Sequence, residues 1–189
     1  MTHNDRTEEE IIRLVRDGDA PAMKQLYSCY IGFLTGLCSR YVNDDDDVCD
    51  ILQESFIKIF TSINQFSYRG EGSVKAWMSR IVVNESIRFI KKNERFDKQP
   101  IDEVLSTDII EEDVPAIDDI PLDEIQRMIK NLPVGYRTVF NLYVFEEKSH
   151  KEIALILGIK ESSSASQLHR AKDMLAKWIT EYRCTHDKL

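Results

Sequence analysis

The chain has 189 residues, room for one or two domains, and 42% of them are hydrophobic, which excludes a disordered composition. No apolar run approaches the length of a bilayer, and the start MTHNDRTEEE is polar and acidic, unlike a secretory leader; the reading is a cytoplasmic protein with no membrane insertion. The formal net charge of −8 argues against a nucleic-acid partner, but ten acidic residues fall between Asp102 and Glu124, where there is no Lys or Arg, so local faces decide partner choice. With only 7 glycines and 5 prolines, long helices are favoured over many strands. Cys29, Cys38, Cys49 and Cys184 form no C-x-x-C pair; Cys29 and Cys38 lie among apolar residues and read as small buried thiols rather than zinc ligands.

In chain order, Thr7 and Glu10 form a capping box that opens a short helix with Ile11, Ile12, Leu14 and Val15 on one side, ended by Gly18. Asp19 caps a second helix with Pro21 in its first turn. Met23, Leu26, Tyr27, Tyr30, Phe33, Leu34, Leu37 and Tyr41 make it apolar enough to be central in a bundle. Asn43 to Asp47 break the pattern, with carboxylates placed where a helix dipole favours them. A third helix runs from Asp47 to Phe60, with Val48, Ile51, Leu52, Ser55, Ile59 and Phe60 facing a core and Asp50, Gln53, Glu54 and Ile57 exposed. Clustered carboxylates can hold magnesium or calcium, but the spacing here has no EF-hand glycine or terminal glutamate; a capped helix start is the better reading, and no metal or cofactor is expected.

Gln65 to Ser73 is a loop carrying Phe66, Tyr68 and Arg69. The helix starting at Ser73 gathers Met78, Val82, Val83, Phe89 and Ile90 on one side. Trp77, Arg80, Ile81, Asn84, Arg88, Lys91 and Arg95 gather on the other, a basic face with an aromatic at one end and an amide in the middle. That set suits nucleic acid: cations for phosphates, an amide for a base edge, an aromatic for stacking. Gln99 to Pro121 is acidic and proline-rich, a flexible linker between domains. Leu122, Ile125, Met128, Ile129 and Leu132 resume a helix, and Pro133 opens another, with Val139, Phe140, Leu142, Tyr143 and Val144 packing onto the helices C-terminal to it.

The segment Ser149 to Lys172 reads as a helix-turn-helix. Ser149 and Glu152 cap its first helix, Ile153, Ala154 and Leu157 give it an apolar face, and Gly158 stops it. The second helix starts at Glu161 to Ser164 and buries Leu168, Ala171, Leu175 and Ile179, leaving Ser166, Gln167, His169, Arg170 and Lys172 to point outward. Trp178 and Tyr182 seal this small domain.

Three motifs in order make the chain resemble an extracytoplasmic-function RNA polymerase sigma factor of the sigma-70 family, from about Glu8 to Arg183. DDVCDILQESFIKIF is similar to the segment that docks on the β′ clamp helices of RNA polymerase, SVKAWMSRIVVNESIRFIKK to the part that melts and reads the −10 element, and LPVGYRTVFNLYVFEEKSHKEIALILGIKESSSASQLHRAKDML to region 4, which binds the −35 element and the β flap. The resemblance implies an all-α chain of two small domains: region 2 over residues 1–98, an acidic linker over 99–121, and region 4 over 122–189. It implies a transcription initiation factor, not an enzyme, whose partners are core RNA polymerase and promoter DNA, with room for an anti-sigma factor or another recruiting protein.

By the same resemblance, Asp50, Gln53, Glu54 and Ile57 contact the clamp. Phe66, Tyr68 and Arg69 lie in the loop that receives a flipped base; Trp77 supports the unpaired edge, Asn84 contacts a base, and Arg80, Arg88, Lys91 and Lys92 hold phosphates. Ser166, Gln167, His169, Arg170 and Lys172 face the −35 groove. One departure stands out: many relatives have Arg or Lys where this chain has Ala165, and often Val where it has Ser164. A lost bidentate base contact is worth ~1–3 kcal/mol, so weaker −35 reading is expected. The rival reading, a conventional repressor or activator using the same helix-turn-helix, would leave the first two motifs without purpose. An enzyme built on the Asp44 to Asp50 cluster lacks a nucleophile–base pair and a phosphate loop.

Overall fold

The computed structural model describes residues 6–93 and 119–186, and every regular element among them is helical. The chain divides into two compact units, Met1–Ile90 and Lys91–Leu189. The stretch expected as a linker lies outside the described residues as far as residue 118.

In the first unit, α1 (Glu8–Arg16) has the expected capping box: the Thr7 hydroxyl accepts from the Glu10 amide, and the Glu10 carboxylate accepts from the Thr7 amide, both at 3.2 Å. Its buried residues are Ile11, Ile12 and Val15. Helix α2 (Ala20–Cys38) is capped by Asp19, whose carboxylate accepts from the Ala22 amide at 2.7 Å. It buries Ala22, Leu26, Leu34, Leu37 and Cys38 and packs between α1 and α3 (Asp45–Ser62). It is less enclosed than its composition suggests, because Tyr27 and Phe33 remain 44% and 41% exposed. Cys29 is also exposed, contrary to expectation; only Cys38 is buried, and burial pushes its thiol ionisation up.

Helix α3 begins two residues earlier than its hydrophobic pattern indicates. Asp44 is the cap, accepting from the amides of Asp46 and Asp47 at 3.0 Å each. Phe56, not Phe60, is the fully enclosed aromatic of this helix; its ring lies 4.7 Å from Tyr27 and 6.0 Å from Phe60. A 3-10 turn (Ile63–Gln65) comes after it, then α4 (Ser73–Asn93). Helix α4 buries Val74, Met78, Val82, Val83, Ser86, Ile87 and Ile90. It is tied to α2 by the Cys38–Ser86 contact, 3.4 Å between Sγ and Oγ, and by Lys75 lying 4.0 Å over the Phe33 ring. It is tied to α3 by the Lys58–Glu85 ion pair.

The second unit contains α5 (Leu122–Asn131), α6 (Val134–Val144), α7 (His150–Leu157) and α8 (Glu161–His186), with α8 packed against the other three. Its packing begins before residue 122. Ile120 is buried with Met128 and Ile179, beside Ile125, Leu175, Trp178 and Tyr182. Asp119 accepts from Nε and Nη2 of Arg183 at 2.9 and 2.8 Å, and these bonds hold its carboxyl below the usual range. On α6, Val139 and Leu142 are buried as expected, whereas Val144 is exposed, and Arg137, Thr138 and Asn141 go inside. The Arg137 guanidinium donates to the Lys130 carbonyl at 2.6 Å, which joins the end of α5 to α6.

Between α7 and α8, Gly158 sits at φ +75°, ψ +31°, and its amide donates to the Ala154 carbonyl at 2.8 Å. A β-carbon at this left-handed position costs ~1–2 kcal/mol. Gly158→Ala is therefore expected to lower urea-unfolding stability by about that amount, with helix content by circular dichroism retained. At the start of α7, the hydrogen bonds from the Ser149 amide and hydroxyl, both 2.8 Å, hold the Glu152 carboxyl below its ordinary value. Its stabilising contribution is thus full above that value and is lost as pH falls through the lowered one. Glu152→Gln keeps the capping geometry, so its deficit in melting temperature against the parent should be present at neutral pH and shrink progressively as pH falls below the ordinary glutamate range.

Candidate polymerase and nucleic-acid interfaces

On α3, Asp50, Gln53, Glu54 and Ile57 are all exposed. Their spacing of i, i+3, i+4 and i+7 puts them on one stripe, opposite Val48, Ile51, Leu52, Ser55 and Ile59. Ile57 is 57% exposed, a large apolar side chain set among acids and an amide, which is the make-up of a protein-docking face rather than of a DNA face.

The loop before α4 is built by glycine and by hydrogen bonds. Gly72 takes φ +80°, the Arg69 amide donates to Ser73 Oγ at 3.2 Å, and that hydroxyl donates to the Gly70 carbonyl at 2.6 Å. Within the loop the aromatics divide. Phe66 is only 8% exposed and stacks on Trp77, with ring centroids 4.7 Å apart and planes 28° apart. Tyr68 and Trp77 are half-buried and Arg69 is exposed. Phe66 thus forms the back of the Trp77 ring, while Tyr68, Arg69 and the outer edge of Trp77 remain open. Burial, then the charges of Glu8, Glu9 and Glu71, push the Tyr68 hydroxyl ionisation up.

Along α4 the buried side positions the exposed one. Arg80, Asn84, Arg88, Lys91 and Lys92 are exposed; Ile81, between them, is half-buried. Arg80 Nε donates to the Ala76 carbonyl at 3.5 Å, and Arg88 lies 3.8 Å from Glu85, so both cations stay near the helix surface. Arg95, expected on the same face, lies outside the described residues.

On α8, Ser166, His169 and Lys172 are exposed. His169 pairs with Asp173 at 3.4 Å, and Ser166 donates to the Ser162 carbonyl at 2.9 Å. Two residues expected to point outward do not do so fully. Gln167 is half-buried with its carbonyl oxygen enclosed, and Arg170 is half-buried with Nη1 donating to the Tyr136 hydroxyl at 3.2 Å. Arg170 thereby contacts α6, and Gln167 lies one turn before the buried Ala171. Ser164 is buried outright and meets His150 Nδ1 at 3.0 Å, so it links α8 to α7 and is not available to DNA. Ala165 is exposed. Lys160, just before α8, and Ser162, in its first turn, are also exposed and were not assigned a role from the sequence. Arg16, which donates to the Ile63 and Phe66 carbonyls behind the loop, left no local signal, being some fifty residues away in the chain.

Residues 26–96 match Sigma-70 region 2, and residues 122–175 match Sigma-70, region 4. The ECF RNA polymerase sigma-E factor of Haemophilus influenzae is 31% identical over 185 residues, covering 92% of this chain and 95% of that protein. The chain belongs to the extracytoplasmic-function sigma factors of the sigma-70 family. SigW of Bacillus subtilis is 28% identical over 90% of this chain and 95% of its own, and the sigma-H factor of Pseudomonas aeruginosa is 26% identical over 90% and 92%. A solved structure of CnrH in complex with the cytosolic domain of CnrY aligns with TM-score 0.48 and 19% identity, covering 90% of this chain and 96% of that one. As a sigma factor, the protein is a transcription initiation factor whose partners are core RNA polymerase and promoter DNA. Sigma factors are not enzymes. No helix among the described residues is long and apolar enough to cross a membrane.

The split between Phe66 and its neighbours has a measurable consequence. In a Trp178→Phe background, with Trp77 as the fluorescent reporter, Phe66→Ala is expected to cost about 3 kcal/mol in urea unfolding, the usual penalty for emptying a buried aromatic site. Arg69→Ala, at an exposed position, is expected to stay within about 0.5 kcal/mol.

Proposed function

We propose that this sigma factor opens promoters through the outer face of α4 and the loop before it, and contacts the −35 element through the start of α8. The observation that carries the reading is the order of exposed groups along one side of α4: the Trp77 edge, Arg80, Asn84 and Arg88, with Tyr68 and Arg69 beside the aromatic end. Cations hold the non-template backbone, the Asn84 amide contacts a base edge, and an unstacked base gains a partner in the loop. Capture of unpaired bases offsets the few kcal/mol that unstacking costs, so melting needs no catalysis by the factor itself. The α3 stripe of Asp50, Gln53, Glu54 and Ile57 docks on the β′ clamp, and region 4 meets the β flap. An anti-sigma factor or a recruiting protein fits this scheme as a further partner, since −35 reading is expected to be weak.

Of the side chains expected to face DNA, Ser166, His169 and Lys172 are exposed on α8, with Lys160 and Ser162 exposed at its start. Ala165, between Ser164 and Ser166, offers a methyl group where a cation would reach a phosphate or guanine. A good base contact contributes ~1–3 kcal/mol, so Ala165→Arg should tighten −35 duplex binding by the holoenzyme about tenfold.

The test of the main reading is run-off transcription with purified core polymerase from the source organism, its genomic DNA as template and RNA 5′ ends mapped. Start sites should appear only with this protein and disappear when Asn84 and Trp77 are both changed to Ala, while core binding persists. Stable core binding without new starts would show that a recruiting partner is required. Absence of core binding would overturn the reading.

A further inference from the structure

Helix α1 carries none of the residues assigned to polymerase or promoter, yet it reaches the loop beyond the 3-10 turn. Its apolar side, Ile11, Ile12 and Val15, suffices to bury it. Arg16, in its last turn, does something else. Arg16 Nε donates to the Ile63 carbonyl at 3.4 Å, and Nη2 donates to the Phe66 carbonyl. These two carbonyls bracket the point where the chain leaves the 3-10 turn for extended backbone, φ −75°, ψ 134° at Phe66. The Phe66 amide already donates to the Ile63 carbonyl at 3.2 Å. With Arg16 in place, every polar backbone group of Phe66 is engaged, and the ring behind Trp77 is held from its main chain. The other end of α1 reaches the same region: Glu8 accepts from the Tyr30 hydroxyl, and Tyr68 lies within reach of its charge.

A guanidinium suits this task better than an ammonium. Its planar fork offers two divergent N–H groups in fixed geometry, and a charged donor to a neutral carbonyl is stronger than an amide donor. A loop held in its receiving conformation before DNA arrives does not lose binding free energy to ordering when it captures a base.

We infer that Arg16 is a positioning residue for −10 recognition: it holds the backbone at Ile63 and Phe66 so that the Phe66–Trp77 stack and the open Tyr68–Arg69 edge are formed before the promoter is bound. The inference rests on the reading that this loop and Trp77 take up unpaired −10 bases.

The experiment uses holoenzyme reconstituted from core polymerase and the full-length chain. The DNA is a fork-junction probe carrying the −10 element mapped by the run-off assay. Fork affinity and core affinity are measured for the parent, Arg16→Ala, Arg16→Lys and Trp77→Ala. Acrylamide quenching of Trp77 is measured in the free protein with Trp178→Phe as background. Arg16→Ala is expected to weaken fork binding about tenfold, leave core affinity within about twofold, and raise Trp77 quenching. Arg16→Lys, which keeps the charge and loses the fork, should fall near Arg16→Ala. Full rescue by lysine with unchanged quenching would overturn the inference, because it would make Arg16 a direct phosphate contact. Loss of core affinity in parallel with fork affinity would also overturn it, since the effect would then be general to the unit. Unaltered fork binding by Arg16→Ala, beside a strong loss in Trp77→Ala, would overturn the inference and leave the underlying reading intact. Unaltered binding by Trp77→Ala would remove that reading itself, and the inference with it.

Discussion

The rotation of α4 about its own axis is the constraint on which the exposed basic side of region 2 depends. Val74, Met78 and Val82 are wholly buried, and Ile90 nearly so, along one line of the helix. Each fully buried aliphatic side chain contributes ~1.5–3 kcal/mol relative to exposure. Turning the helix by two residues, about 200°, would exchange part of this line for Arg80 and Asn84. It would add the cost of burying an amide or a cation without partners. The orientation of the Trp77, Arg80, Asn84 and Arg88 side is therefore a by-product of core packing. That exposed side needs no interactions of its own to be held in place.

The polar contacts around α4 refine that placement. Ser86, buried in the middle of the apolar line, donates to the Val82 carbonyl at 2.8 Å and meets Cys38 of α2. Glu85, at the edge of the buried side, pairs with Lys58 of α3 and lies near Arg88. These contacts set the position of α4 along its axis relative to α2 and α3, which apolar packing alone leaves freer. The Phe66–Trp77 stack then extends the ordered surface beyond the first turn of the helix into the loop. Under the proposed reading, rigid presentation matters because any affinity for unpaired bases is what is left after unstacking and ordering costs are subtracted.

Region 4 uses more polar material in its interior. Arg137, Thr138, Asn141 and Ser164 are all buried, and the contacts of Arg137 with Lys130 and of Ser164 with His150 join successive helices. A unit this small buries a limited apolar area, and hydrogen bonds between helices at their crossings are directional contacts that help fix the crossing. The same feature explains why α8 exposes fewer polar side chains than its composition suggests. Gln167 and Arg170 are drawn toward the domain, and Ser164 is inside it.

Much of this architecture comes from local chemistry. The capping boxes at Thr7–Glu10 and Ser149–Glu152, the left-handed Gly158, and the 3.6-residue apolar lines of α3, α4 and α8 all depend on neighbours within one or two turns. That is why helix positions, the helix-turn-helix and the exposed stripe of Asp50, Gln53, Glu54 and Ile57 were legible in the sequence. Other features depend on which distant segment arrives. Phe66 became the back of a stack because Trp77 and Arg16 meet it from two other helices. Cys29 and Val144 stayed exposed, and Ile120 went inside because Met128 and Ile179 offered it an apolar seat. Periodicity fixes which residues share a face, since that is a property of one helix. The tertiary structure alone decides how much of each face a neighbour covers, since that depends on the shape and distance of another segment.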